Sequence, residues 1–245
     1  MVVSVGPSSL QGPLQTTVRN SVLGPLGPLL SALLTPIVGP LVNSTVESIL
    51  TPEPLTPGVY DSITVISVGE VRFEPGVYII RNTSPLTEMS LCVVGGWIHA
   101  EGVLFYITNS PAYNGSTGAP DSSDNAATSP PNPLLSSKPS VLLAPLLPGS
   151  SISGLDDASS PFDGMLVYQR RMDRRPIVIG ATKLVGGGDI SGTIYSKWGH
   201  VLFLGGQGTY DVRIVAGTLR VLTVLTSTFA PSQLLPPAQD VLLVE

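Results

Sequence analysis

Apolar positions follow two different rhythms along this chain. In the first fifty residues they fall at Leu26, Leu29, Leu30, Leu33, Leu34, Ile37, Val38, Leu41, Val42, Val46, Ile49 and Leu50. A recurrence every three to four positions is the stripe of an amphipathic helix. Pro25, Pro28, Pro36 and Pro40 interrupt it, and each interior proline removes a backbone hydrogen bond. The pattern predicts broken amphipathic helices within a Pro/Leu-rich lead segment, residues 1–54, that caps the end of the next region or docks on a partner.

From residue 55 the rhythm shortens. Runs such as Ile63–Ile66, Val71–Phe73, Leu91–Val94, Ile177–Ile179 and Val201–Leu204 are rich in Val, Ile and Phe and bounded by Gly or Pro, which is strand grammar. A Pro-Gly-Val-Tyr unit begins at Pro57 and again at Pro75. Later units keep a glycine, then apolar residues, then a tyrosine: Gly102–Tyr106, Gly164–Tyr168 and Gly192–Tyr195. The spacing leaves no room for ordinary helices between strands, so βαβ alternation is disfavoured. Recurring corners at this interval predict an all-β chain: a short right-handed parallel β-helix (solenoid) of about six or seven coils over residues 55–229. The alternative is a β-sandwich, which also has many short strands. The repeated tyrosines should stack in a column, inside or along one face. Residues 109–139 are polar and Pro-rich and read as a long mobile loop. Residues 230–245 form a C-terminal tail, a second cap for the exposed sheet edges.

Composition narrows the function classes. The chain has 245 residues with 42% hydrophobic, 12% charged, 26 Gly and 24 Pro. Disorder calls for low hydrophobicity and high charge, so most of the chain should fold. The net charge of −5 and the lack of a basic stripe interleaved with aromatics argue against nucleic acid. The lone Cys92 forms no intrachain disulfide and reads as a buried inert thiol. The Ser/Thr/Gly/Pro-rich, charge-poor composition leans extracytoplasmic. Met1 to Gly12 lack the features of a signal peptide, so a fragment or processed product is expected. The uncharged stretch from Asn20 to Val46 is long enough to span a bilayer, but its prolines disfavour that. Membrane contact through residues 20–50 is the milder expectation.

The order of the motifs resembles the C-terminal solenoid region of bacterial Tad-type (tight adherence) pilus-assembly proteins and related planctomycete surface proteins. The matching elements are Leu55–Tyr60, Phe73–Ile80, Val94–Gly96, Gly102–Asn109, Val141–Pro145, Phe162–Arg170 and Ile190–Tyr195. They cover about residues 55–220. The resemblance implies an extracytoplasmic β-helix without catalytic residues. The chain lacks that family's transmembrane start and a von Willebrand-type metal motif.

Three constellations are candidates for chemistry. Trp97-Ile98-His99 and Trp198-Gly199-His200 contain both tryptophans and both histidines. On a strand the i and i+2 residues share a face, which adds Glu101 to Trp97 and His99. Stacked together, the two segments could hold a sugar or a metal; the plainer reading is paired aromatics at equivalent coil positions. Arg170, Arg171, Arg174 and Arg175 concentrate four basic residues around Asp173. Guanidinium forks suit anionic glycan or phosphate, or the cluster is a solvated corner with some arginines paired to Asp163, Asp173 or Asp189. The carboxylates Asp156, Asp157, Asp163, Asp189 and Asp211 show no paired or calcium-type repeat of the kind glycoside cleavage would use. No cofactor and no closed metal set is implied. The expectation is a non-catalytic extracytoplasmic structural or adhesion/assembly module, pilus- or cell-envelope-associated, with protein or envelope partners. The alternative is a carbohydrate-binding or carbohydrate-cleaving β-helix protein.

Overall fold

The computed structural model describes residues 54–85, 87–114, 138–145, 149–181, 189–206, 208–223 and 226–232. Residues 1–53 of the lead segment, the greater part of the 109–139 loop and residues 233–245 of the tail lie outside the described residues.

The described chain is all-β. Eleven strands form one connected sheet: β1 (Gly58–Tyr60), β2 (Ile63–Arg72), β3 (Gly76–Ile80), β4 (Leu91–Ile107), β5 (Val141–Pro145), β6 (Ser151–Gly154), β7 (Met165–Gln169), β8 (Ile177–Ala181), β9 (Asp189–Gly205), β10 (Gly208–Thr223) and β11 (Ser227–Phe229). Every pairing between them is parallel. A β-sandwich is built from antiparallel sheets, so that alternative does not describe this chain.

The registers resolve into three lines of pairing that the chain visits in fixed order. The first line joins Ile63, Leu91, Val141, Ile177, Val201 and Leu219 in succession. The second joins Arg72, His99, Ser151 and Asp189, and β10 and β11 pair separately through Gly208–Tyr210 and Ser227–Phe229. The third joins Gly58, Tyr78, Phe105, Val167, Ile194 and Ile214. The long strands β4, β9 and β10 pass through more than one line, turning at bulges where the register shifts. Such bulges bend a strand without ending it.

Side chains alternate across each strand. One set faces a shared core in which Leu91, Val93, Val141, Leu143, Ile177, Ile179, Val201 and Phe203 are all fully buried. Tyr78 and Phe105 stand in register in that core, and Phe73 packs edge-on against both rings, at 5.5 and 5.4 Å. The Tyr78 hydroxyl lies 2.6 Å from the Leu55 carbonyl and 2.7 Å from that of Glu74. Burial raises its pKa and keeps it protonated as a donor.

The tyrosines do not make a single column. Tyr78 pairs with Phe105, so Tyr106, one residue later, points outward. Tyr106, Tyr168 and Tyr195 then stack along the outer side of the third line, with ring centroids 5.0 and 4.9 Å apart. The reason is parity. The glycine-to-tyrosine distance is two residues at Gly76 and four at Gly102, but Gly76 pairs with Val103 and not with Gly102. The one-residue offset exchanges the faces.

Glycines occupy the turn from second to third line. Gly76, Gly102, Gly164 and Gly192 all have positive φ. At Gly192 (φ 112°) a Cβ would come within 2.9 Å of the Gly154 nitrogen and 3.0 Å of the Gly164 oxygen. Gly192→Ala should therefore cost about 1–3 kcal/mol from backbone strain alone, read as a lowered denaturation midpoint. A second expectation concerns the core: Phe203→Ala should cost about 3–5 kcal/mol in the same measurement.

Candidate functional site

The arginine corner follows β7. Asp173 is almost fully buried, its side chain 1% exposed, and is gripped by Arg175. The Arg175 Nη2 donates to Asp173 Oδ2 at 2.6 Å, and Nε donates to Oδ1 at 2.9 Å. The same guanidinium donates to the Ser90 hydroxyl at 3.0 Å and to the Glu88 carbonyl at 3.3 Å. Arg175 therefore ties its corner to the corner before β4, two passes earlier along the first line. Arg170 is buried, and Arg171 and Arg174 are half-buried. The Arg175 fork is thus occupied by Asp173, a carboxylate that would be costly to bury without a partner.

Beside it lies a buried polar network. Gln169 occupies an inward position, in register with Ile107. Its amide nitrogen donates to the Ser140 hydroxyl at 2.8 Å and the Arg175 carbonyl at 3.0 Å. Its amide oxygen accepts from the Ser196 hydroxyl. Ser140 in turn donates to the Pro176 carbonyl at 3.2 Å. Four successive parts of the chain are thus joined where an apolar ladder would otherwise run.

The two Trp-x-His segments do not meet at equivalent positions. Trp97 stands in register with Glu70, between the first and second lines. Trp198 lies between the third and first lines, two residues before His200, which pairs with Thr218. His99 faces Glu70 instead of Glu101: Nε2 is 3.4 Å from Glu70 Oε1, and Nδ1 is 3.2 Å from the Ser151 hydroxyl. Arg72 holds the same carboxylate at 2.6 Å. Trp97 is 43% exposed beside this trio. Glu70 has no local sequence signal, being 29 positions from His99; only the β2–β4 register brings it there. Trp198 packs under the Lys197 ammonium, 5.1 Å from its ring centre.

His200 is a distinct electrostatic element. Burial, reinforced by Arg220, lowers its pKa below the ordinary histidine value. Its Nε2 is buried without a hydrogen-bond partner, and Nδ1 contacts the Thr218 hydroxyl.

A cleft of about 230 Å³ runs along the turn between the second and third lines. Asp156 and Asp163 come from the 155–164 excursion, Asp211 and Arg213 from β10, and Ser191 and Thr193 from β9. Leu155 and Gly164 close the base of the excursion by backbone hydrogen bonds. Asp163 Oδ1 accepts the Asp157 amide at 3.0 Å. Asp211 accepts the Ser232 amide and hydroxyl, which lower its pKa, with a smaller contribution from Arg213. Among the described residues no group of three or more His, Cys, Asp or Glu could hold a metal ion, and Asp189 stands in register with Ser151.

No protein-family model, curated protein or solved structure matches this chain.

Two measurements follow from these contacts. Arg175→Ala leaves the buried Asp173 carboxylate without its guanidinium, keeping only the amide of residue 175 as a donor to it, so it should cost about 3–5 kcal/mol by denaturant titration; Arg175→Lys should recover less than half, because an ammonium cannot reproduce the fork. For His200 the folded pKa lies below the unfolded one. The unfolded chain then takes up the proton first as pH falls below the ordinary histidine range, and stability drops there. The loss of melting temperature between pH 7.5 and 5.5 should accordingly be smaller in His200→Gln than in the unaltered chain, by about 1–4 °C.

Proposed function

We propose that this chain is a non-catalytic structural or adhesion/assembly module acting outside the cytoplasm, built as a right-handed parallel β-helix of six to seven short coils. The observation that carries the reading is the use made of its polar side chains. Arg175, Asp173, Gln169, Ser140 and Ser196 are committed to joining successive passes of the chain. The fixed visiting order of three parallel lines supports the β-helix. The charge-poor composition and the Tad-type resemblance support a place in the cell envelope, with protein or envelope components as partners.

Among the cleft carboxylates, Asp211 does not suit the part of a general acid. A general acid for glycoside cleavage needs a pKa raised toward the working pH. Asp211 moves the other way and is tied to Ser232.

A second reading, carbohydrate binding, has one observation in its favour: Trp97 lies exposed beside Glu70, Arg72 and His99. An aromatic face with polar neighbours suits a sugar ring.

A glycan array combined with a reducing-end assay on the purified chain separates the readings. The scaffold reading expects neither binding nor release. Glycan retention lost in Trp97→Ala would favour the second reading, and turnover abolished by Asp163→Asn or Asp211→Asn would make the protein an enzyme.

A further inference from the structure

The rows of the first line end unequally. Two inward rows cross six strands, one from Ile63 to Leu219 and one from Val65 to Val221. At β2 both are closed, with Ile63 and Val65 1% and 2% exposed. At β10 both are open, with Leu219 and Val221 50% and 38% exposed. Thr218, Arg220 and Thr223 around them are exposed as well. Among the described residues the stretch Thr218–Thr223 pairs with β9 alone. Its other edge therefore presents backbone donors and acceptors. β11 and residues 230–232 stand instead over the start of β10, at Gly208–Asp211. Edge strands are commonly blunted by prolines, by several charges or by a bulge. Thr218–Thr223 has no proline and one charge, Arg220, and the bulge precedes it. Ile214, Ala216 and Phe229 bring partly buried apolar side chains to the same end.

We propose that Thr218–Thr223 is a docking edge for the same edge of a second copy of this chain, the two strands pairing antiparallel across a two-fold axis. The unequal ends select this arrangement. Head-to-tail stacking would need the β2 rows open, and they are buried. Among copies, the open edge then meets its own counterpart, and a two-fold contact closes as a dimer. A lone peptide strand would engage six residues. A second copy brings its last described pass, Gly208–Phe229, as well, about twenty residues a side, the size of a stable contact. Face parity fixes the centre. Residues directly opposite in an antiparallel pair point to the same side, so inward residues meet inward residues and the axis falls on a residue. Arg220 at the axis would oppose its own charge, which leaves Leu219 or Val221. Their side chains then carry the apolar core through both copies. The dimer gives the assembly module a partner, but it rests on the geometry of this edge and not on where the protein acts.

Sedimentation equilibrium of the full-length protein across a dilution series should show a reversible monomer–dimer equilibrium. Leu219→Glu/Val221→Glu should weaken it about a hundredfold or more, with the β circular-dichroism signal retained. Val59→Glu, at an exposed apolar position of β1, should leave it within about twofold. Should the glutamate variant fail to fold, cysteines decide the matter. Leu219→Cys or Val221→Cys should form a disulfide between copies on mild oxidation, while the buried Cys92 stays unreactive. A chain that is monomeric at every concentration would overturn the proposal. So would a dimer indifferent to the glutamates, the absence of a disulfide at both cysteines, or a ladder of higher oligomers. None of these outcomes bears on the glycan test, so the scaffold reading survives the loss of the dimer.

Discussion

Register between successive passes is the constraint on which the rest of this structure depends. A parallel strand cannot satisfy its amides within its own segment, so it takes its partners from the pass before and the pass after. Once Ile63 is aligned with Leu91, and Leu91 with Val141, the inner and outer rows of the first line are assigned for every later pass. The connection that a parallel pair requires is usually a helix. Here, among the described residues, the other two lines of strands make that connection themselves. Glycines therefore gather at the turns, where the backbone of one pass lies directly on the next, as Gly154, Gly164 and Gly192 do.

The same stacking explains why charged groups are sparse and why the buried ones are joined. Interior rows repeat, so one polar residue placed inward meets like-positioned neighbours above and below it. Gln169 meets Ile107 on one side and the Ser196 hydroxyl on the other. Its remaining needs are met by Ser140 and the Arg175 carbonyl. A fully connected network of this kind is tolerated where a half-connected one would be costly. Asp173 and Arg175 follow the same rule at the neighbouring corner.

Much of the architecture was legible in the chain itself. Short Val/Ile runs, corner glycines and the Pro-Gly-Val-Tyr pairs at 57 and 75 already point to repeated strand passes. What the pattern could not supply was pairing arithmetic. Gly58 aligns with Tyr78, although the motifs themselves are offset by 18 residues, so motif identity and strand register are different quantities. That difference sends Tyr78 inward and Tyr106 outward. It also separates the two Trp-x-His segments and delivers Glu70 to His99. The arginine cluster was visible as composition, but the reach of Arg175 to Ser90 and Glu88, more than eighty positions away, was not. The largely apolar outer row of the first line, from Cys92 to Leu202, was present as unbroken runs such as Leu91–Val94. Continuous runs signal a strand buried on both faces, without naming what lies on the second.

The last described pass keeps the inward rhythm of its predecessors, with no further layer over it among the described residues. Leu219 and Val221 align with Val201 and Phe203, yet stand 50% and 38% exposed where their partners are fully buried. In a stack whose layers touch nearest neighbours alone, opening an interior layer breaks two interfaces, whereas peeling a terminal one breaks a single interface. Within the described strands, thermal fraying should therefore begin at β10–β11 and travel inward like a zipper.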